Sequence, residues 1–396
     1  MKRASFRYGE VVVLGLPMER VGIIGGGQLA WMMAAGAQRL GLDLVVQTPH
    51  LEDPAVAIAQ AVIQAPVADA AATGRLAQQC DVISFENEFV DLAALAPLAE
   101  QGIVFRPQLT ALAPLLDKYD QRQCLQAAGL PNPRYVTLSP GQNPAEVEAA
   151  AAPLGWPLVV KTRRLGYDGQ GTFVVKTWPQ LQARWEQMGC PEVLIEEFIP
   201  FEKELAVMVA RGSDGQVVVY PTVETQQVNQ VCRRVIAPAA VSEPIQATVA
   251  RFARTLVEHL DYVGVLGMEL FLAPGDRLLV NEVAPRTHNS GHYTLDACET
   301  SQFEQQLRAV SGRPLGPAGM TCDRAVMVNL LGFETAHHDY GEVRSRLAQI
   351  PNAHLSWYGK AASRPGRKLG HVTVTMIAAM DVAATIAQLE ALWYPA

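Results

Sequence analysis

Apolar runs punctuated by glycine and proline recur along this chain and set its predicted elements. Near the start, VGIIGGG reads as a strand breaking into a glycine turn. QLAWMMAAGAQRLG then continues as a helix, with Gly41 where a C-terminal cap belongs. A second strand, LDLVV, a helical stretch, TGRLAQQ, and a third strand, CDVISFE, follow. This alternation predicts a small parallel sheet with helices on both faces, hence an α/β fold class. Ligands of such sheets bind beyond the carboxyl ends of the strands. Here those ends carry Gly25–Gln28 and the acidic cluster Glu86-Asn87-Glu88.

Around residues 107–117 the pattern changes. A helix, DKYDQRQCLQAAG, and a proline-rich passage, LPNPRYVTLSP, lead into a second α/β region. It holds a glycine-loop hairpin, the helix TWPQLQARWEQMG and the strand EVLIEEFI. ELAVMVA and VVVYPTVE flank an Asp-Gly turn at 214–215 and read as a further hairpin. A helix over 242–260 precedes two strands, GVLGMELFLA and RLLVNEVAP. After the linker SGRPLGPAG, a smaller mixed region ends the chain.

Composition narrows the class. A chain of 396 residues suggests two or three domains. Half hydrophobic and 18% charged, it has the make-up of a soluble globular protein. A net charge of -7 argues against a nucleic-acid partner. The six cysteines are scattered without a CxxC pair, which fits a reducing cytoplasm better than a disulfide framework or a zinc site. No apolar run reaches the ~18 residues of a membrane span. The first twenty residues read as a loose extension rather than a signal peptide, since Glu10 precedes their apolar patch.

Candidate chemistry begins with LVVKTRRLGYDGQGTFVV, residues 158–175. Glycines admit a polyanion to backbone N–H groups, and Lys161 supplies a point charge. The segment leaving the loop is β-branched and aromatic, so it is strand, which excludes a P-loop. The alternatives are a flap over a nucleotide and an ordinary glycine-rich turn. GGGQLA fits the loose dinucleotide pattern, but Gln47-Thr48-Pro49 stands where a ribose-binding acid is expected. That weakens a nicotinamide reading and leaves a phosphate or small-ligand turn.

The acids downstream are more pointed. Glu269 and Glu282 each sit in an apolar strand, and a four-residue connection, PGDR, places them opposite each other. Two facing carboxylates repel and are costly to desolvate. A divalent cation resolves both problems, and oxygen ligands favour Mg2+. The alternative is that one glutamate is exposed or paired with an arginine such as Arg286. Asn281 beside Glu282 offers a neutral oxygen. Glu196 and Glu197 end an apolar run where backbone groups could meet an adenine edge, with Phe198 and Ile199 as a wall. Glu204 could take ribose hydroxyls, although each of these acids alone is more often solvated. The loop APRTHNSGHYT gathers Arg286, His288, Asn289, Ser290 and His292, a set suited to a small anion or acyl phosphate. Lys360, Arg364, Arg367 and Lys368 in WYGKAASRPGRKLGHV are either a solvated face or a phosphate site.

Lysine with glycine flap, acidic hinge, then paired carboxylates is the order found in ATP-grasp enzymes. GGGQLA, SFENEF, VVKTRRLGYDGQGT, NEVAPRTHNSGHYT and YGKAASRPGRKLGH together resemble the N5-carboxyaminoimidazole ribonucleotide synthetase family. The resemblance implies an extension over 1–20, a parallel α/β domain over 21–115, an ATP-grasp region over 116–311 with its flap at 161–172, and a small C-terminal domain over 320–390. It implies ATP- and bicarbonate-dependent carboxylation of 5-aminoimidazole ribonucleotide in a cytoplasmic homodimer. ATP would be held by Lys161, Gly166, Tyr167, Asp168, Gly169, Gln170, Gly171, Thr172, Glu196, Glu197, Phe198, Ile199, Glu204, Asn281 and Glu282. Arg106 and Gln227 are looser matches, Gln227 standing where many members have histidine. Glu269 and Glu282 would ligate Mg2+. Arg286, His288 and Asn289 would handle bicarbonate or carboxyphosphate, with Asp168 and Lys360 also catalytic. Gln28, Glu86, Tyr167, Asp168, Lys360 and Arg367 would meet the ribonucleotide. The rivals are another ATP-grasp ligase such as a formate-dependent glycinamide ribonucleotide transformylase, an NAD-dependent oxidoreductase, and a nucleotide-binding regulator without turnover.

Overall fold

The computed structural model describes residues 18–164, 171–360 and 362–394. The expected extension through residue 17 and the flap positions Gly166, Tyr167, Asp168, Gly169 and Gln170 lie outside them.

The first sheet is parallel, in the order β3-β2-β1-β4, from β1 (Arg20–Ile24), β2 (Asp43–Thr48), β3 (Ala61–Gln64) and β4 (Val82–Phe85). Three of these strands are legible as apolar runs. The edge strand β3 is three half-buried residues and an exposed one, without a marked apolar run. The glycine turn after β1 is tight because Glu86 packs into it. Gly25 has a φ of 117°, and a Cβ there would lie 2.5 Å from Glu86 Oε2.

An antiparallel sheet follows, in the order β5-β8-β6-β7. It comprises β5 (Tyr135–Leu138), β6 (Leu158–Thr162), β7 (Thr172–Val175) and β8 (Val193–Glu197). β6 and β7 form the hairpin expected at the flap, with Lys161 opposite Thr172.

The third sheet has nine strands among the described residues. They are β9 (Lys203–Arg211), β10 (Val217–Val219), β11 (Val223–Val228), β12 (Val231–Ala237), β13 (Gly264–Ala273), β14 (Arg277–Ala284), β15 (Arg324–Leu331), β16 (Ala353–Trp357) and β17 (Lys368–Met376). The order is β14-β13-β9-β11-β12-β15-β17-β16, with β10 paired to β9. Antiparallel pairing of Arg234–Ala237 with Ala325–Val328 makes the C-terminal strands an extension of this sheet.

The helix Glu243–His259 buries Ile245, Val249, Phe252, Ala253, Leu256 and Val257 beneath the sheet, one face at helical spacing. The helix Gln302–Val310 is shared between regions. Its Phe303, Leu307 and Val310 join a core with Met33, Ala37 and Val46 of the N-terminal domain. Close approach there depends on Gly36, since a Cβ would lie 2.9 Å from the Glu304 backbone.

Candidate active site

The three sheets surround a cavity of about 960 Å3 whose walls come from the N-terminal, middle and C-terminal parts of the described residues. Its floor is the β13–β14 hairpin. Glu269 and Glu282 are directly opposite, as expected, although the connection is one residue shorter than predicted. Ala273 pairs with Arg277, because Gly275 and Asp276 both adopt positive φ and close the turn in three residues. That register would misalign the two acids. A bulge at Asn281 restores it, since Leu270 pairs with Val280 while Glu269 pairs with Glu282.

The bulged residue is well used. Its carbonyl accepts from Arg122 Nη2 at 2.7 Å, and its side-chain oxygen accepts from Lys161 Nζ at 2.9 Å. Lys161 also pairs with Glu196 at 2.8 Å, and Arg122 grips the same carboxylate at 2.5 Å. This buried triad fixes the lysine on the cavity wall. Glu196 is therefore an anchor for Lys161 rather than a solvated acid, and its carboxyl stays below the usual range. Burial opposes that shift, but Arg122 and Lys161 outweigh it.

Lys118, at the start of the helix Lys118–Ala127, reaches Glu282 at 2.6 Å. No sequence signal singled it out, because a lysine after a helix-capping aspartate is ordinary. With Lys161 it overcomes the effect of burial and holds Glu282 down to about 2. Glu269 has the opposite fate. Burial, then Glu282, then Glu204 push its carboxyl up to about 7. Glu204 is likewise raised to about 7 by burial, partly offset by Lys161. A cation would relieve this excess of negative charge, so the residues fit Mg2+. No three His, Cys, Asp or Glu side chains cluster for a metal among the described residues. Two carboxylates still suit Mg2+, which keeps water and phosphate oxygens as its other ligands.

Glu197 is held by Arg134, which donates from its backbone N at 2.9 Å and from Nε at 2.8 Å. Phe198 and Ile199 line the cavity beyond it. Phe201 and Phe271 add an aromatic pair, stacked at 4.8 Å between centroids, which no sequence motif marks. Thr172 and Gln227 also face the cavity. Gly171, with φ of 79°, packs against Thr162 at the hairpin base.

On the opposite wall, His288 Nε2 lies 3.8 Å from Glu269 Oε1, and its Nδ1 lies 3.0 Å from Ser290 Oγ. Asn289 and Asn329 exchange reciprocal amide bonds of 2.9 and 2.7 Å, tying the loop to β15. Arg286 forks onto Glu88. Lys360 Nζ donates to the Lys368 carbonyl at 2.8 Å, and Arg367 donates to the Ala362 carbonyl at 2.6 Å. Both line the cavity with Gln28. Glu86 lines it too, but its carboxylate accepts from the Gly27 and Leu29 amides at 2.6 and 3.1 Å. It therefore shapes the glycine turn.

Arg106 is a correction. It does not line the cavity, and its Nη1 donates to the Val310 carbonyl at 2.8 Å. The preceding Phe105 bridges Ile83, so the FRP segment follows the N-terminal sheet and Arg106 braces the end of the helix Gln302–Val310. From that part of the chain, the cation that lines the cavity is Lys118.

Comparison with known proteins matches this geometry. Residues 18–114 match a ribonucleotide synthetase preATP-grasp domain, 123–303 an ATP-grasp domain, and 325–385 a phosphoribosylaminoimidazole carboxylase C-terminal domain. N5-carboxyaminoimidazole ribonucleotide synthase of Synechococcus elongatus is 56% identical over 383 residues, 95% of this chain and 96% of that protein. The chain belongs to the N5-carboxyaminoimidazole ribonucleotide synthase family. Two solved family members share its fold. The synthetase of Staphylococcus aureus complexed with ADP is 32% identical, with a TM-score of 0.85 over 95% of this chain and 97% of that one. The synthase of Aspergillus clavatus in complex with ADP and 5-aminoimidazole ribonucleotide is 33% identical, with a TM-score of 0.84 over the same shares. The family fold is α/β with an N-terminal parallel sheet, as the patterning predicted, and an ATP-grasp region and a C-terminal domain, as the resemblance implied.

Proposed function

We propose that this protein is an ATP-grasp ligase that carboxylates 5-aminoimidazole ribonucleotide with bicarbonate in purine biosynthesis. The products are N5-carboxyaminoimidazole ribonucleotide, ADP and phosphate. One observation carries the reading. A single cavity sets the Glu269–Glu282 pair between the lysines Lys118 and Lys161 and the Arg286–His288–Asn289 loop, with Lys360 and Arg367 at its rim.

ATP enters between the β6–β7 hairpin and the wall of Phe198, Ile199, Phe201 and Phe271, with Glu204 near its ribose. Lys161, held by Glu196 and Asn281, is fixed in advance to meet phosphate oxygens. Mg2+ on Glu269 and Glu282 would neutralise charge on the transferring phosphoryl group. Bicarbonate oxygen attacks the γ-phosphorus, ADP leaves, and carboxyphosphate results. Arg286, His288 and Asn289 hold that anion. The amine nitrogen then bonds the carboxyl carbon as its bond to the phosphate oxygen breaks, and the nitrogen loses a proton. Lys360 and Arg367 meet the substrate phosphate, and Asp168 on the flap is the proposed base. A homodimer and a cytoplasmic location belong to the same proposal, and light scattering in solution tests the dimer.

The deciding experiment measures phosphate release from ATP and bicarbonate, with and without 5-aminoimidazole ribonucleotide. Stimulation with a carboxylated product is expected. No stimulation, or stimulation by formate and glycinamide ribonucleotide instead, would overturn the assignment.

A further inference from the structure

We infer that Glu88, a residue of the N-terminal domain, is a positioning residue for the anion site, fixing the plane in which Arg286 meets bicarbonate. This rests on the bicarbonate reading above.

The acids after β4 have divided their work. Glu86 turns back onto the amides of Gly27 and Leu29. Asn87 Oδ1 accepts from the Phe89 amide at 3.0 Å, which turns the chain sharply at Glu88. Glu88 crosses to the loop after β14 and takes Arg286 Nε at 2.6 Å and Nη2 at 3.1 Å. Two parallel bonds from one guanidinium edge to one carboxylate form a fork, which sets direction as well as strength. Arg286 Nη1 donates to the Thr287 carbonyl at 3.1 Å, so the guanidinium is pinned on two sides.

The pair is mostly shielded, with 18% of the arginine side chain and 24% of the glutamate exposed. Burial and the nearby Glu282 favour protonation of Glu88, but Arg286 holds it below the usual carboxylate range. The fork therefore stays ionised at neutral pH. A guanidinium on an irregular loop would otherwise sample many rotamers, and an anion that breaks down quickly in water cannot wait for it. The partners are 198 residues apart in sequence, so the fork forms only in the assembled protein.

Glu88→Gln keeps the size and one hydrogen bond while removing the charge and the paired geometry. Phosphate release and carboxylated product are measured with ATP, bicarbonate and 5-aminoimidazole ribonucleotide varied in turn. The apparent KM for bicarbonate should rise about tenfold, while that for ATP changes by less than about twofold. Product formed per phosphate released should fall, and Glu88→Asp should restore part of it. Equal losses for all three substrates would mean that the pair only ties two domains together, and would overturn the inference. Unchanged bicarbonate KM and coupling would do the same. If Glu88→Gln fails to fold, Glu88→Asp carries the comparison, its shorter reach loosening the fork with charge retained. Unmutated protein without bicarbonate dependence would end the reading beneath this inference, and is measured first.

Discussion

Glu269 and Glu282 face each other across a hairpin, yet their carboxyls are driven in opposite directions. Lys118 sits on Glu282, and Glu269 is left with burial and two neighbouring acids. Because Glu269 binds its proton more tightly folded than unfolded, the Mg2+-free fold gains stability as pH falls through about 7. It loses that stability as pH rises through the same point. Glu204 acts in the same sense. Glu282 contributes the reverse, a stabilisation kept above the ordinary carboxylate range and lost only in strong acid. Calorimetry in EDTA should therefore show a midpoint that falls between about pH 4.5 and pH 7 and levels off above it, and Mg2+ should largely abolish the fall. Glu269→Gln should raise the midpoint in EDTA at pH 8, a stabilisation on the order of 1 kcal/mol, while eliminating turnover. A lowered midpoint there would show that the carboxylates are not in conflict. Glu282→Gln should also abolish turnover in a folded protein, and near-normal activity in Mg2+ would remove the pair from the mechanism.

At the scale of elements, the β13–β14 hairpin shows what the sequence does and does not expose. Both strands and the facing acids were readable from two apolar runs and the short connection between them. The bulge was not, because a three-residue turn and an extra residue at Asn281 cancel in the count. An asparagine in a strand was a hint, since it is depleted there. Deleting Asn281 should remove the bulge and keep Glu282 opposite Glu269, but take away the oxygens that hold Lys161 and Arg122, so ATP binding should weaken sharply. Asn281→Ala keeps the residue count and should retain measurable turnover with weaker ATP binding. The C-terminal helix Val382–Trp393 offers a second case. Its Glu390 takes Arg234 Nη2 at 2.6 Å and Arg233 Nε at 3.2 Å, both from β12. Burial raises the Glu390 carboxyl, but the arginines bring it below the usual range. Glu390→Gln should cost on the order of 1–2 kcal/mol at pH 7, and the difference from the parent should shrink as pH falls below the ordinary carboxylate range.

For the whole molecule, the motifs that bind a ligand lie in short stretches and could be recognised one by one. Their meeting in one cavity could not be read locally. Lys118 reaches Glu282 from 164 residues away, and β12 joins β15 although the helices Glu243–His259 and Gln302–Val310 and two strands, among other elements, lie between them in sequence. Neither partner carries a mark of the other, so Lys118 and the fork of Glu88 were invisible to patterning while Lys161 was not. Gly36 tests the assembly directly. Gly36→Val should push apart its helix and Gln302–Val310, lowering both midpoint and activity although no substrate group is touched. Full activity with an unchanged midpoint would show that the contact is slack.

The seam between β12 and β15 has a practical consequence for engineering. The rim residues Lys360 and Arg367 lie in the connection between β16 and β17, at the opposite end of one hydrogen-bonded sheet from the floor residues Glu269 and Glu282 of β13 and β14. A C-terminal segment grafted from a relative would have to reproduce the Arg234–Val328 register along with its side chains. A one-residue slip would turn every grafted strand inside out. Substrate preference in this scaffold is thus better altered by point changes on the rim than by exchanging cassettes.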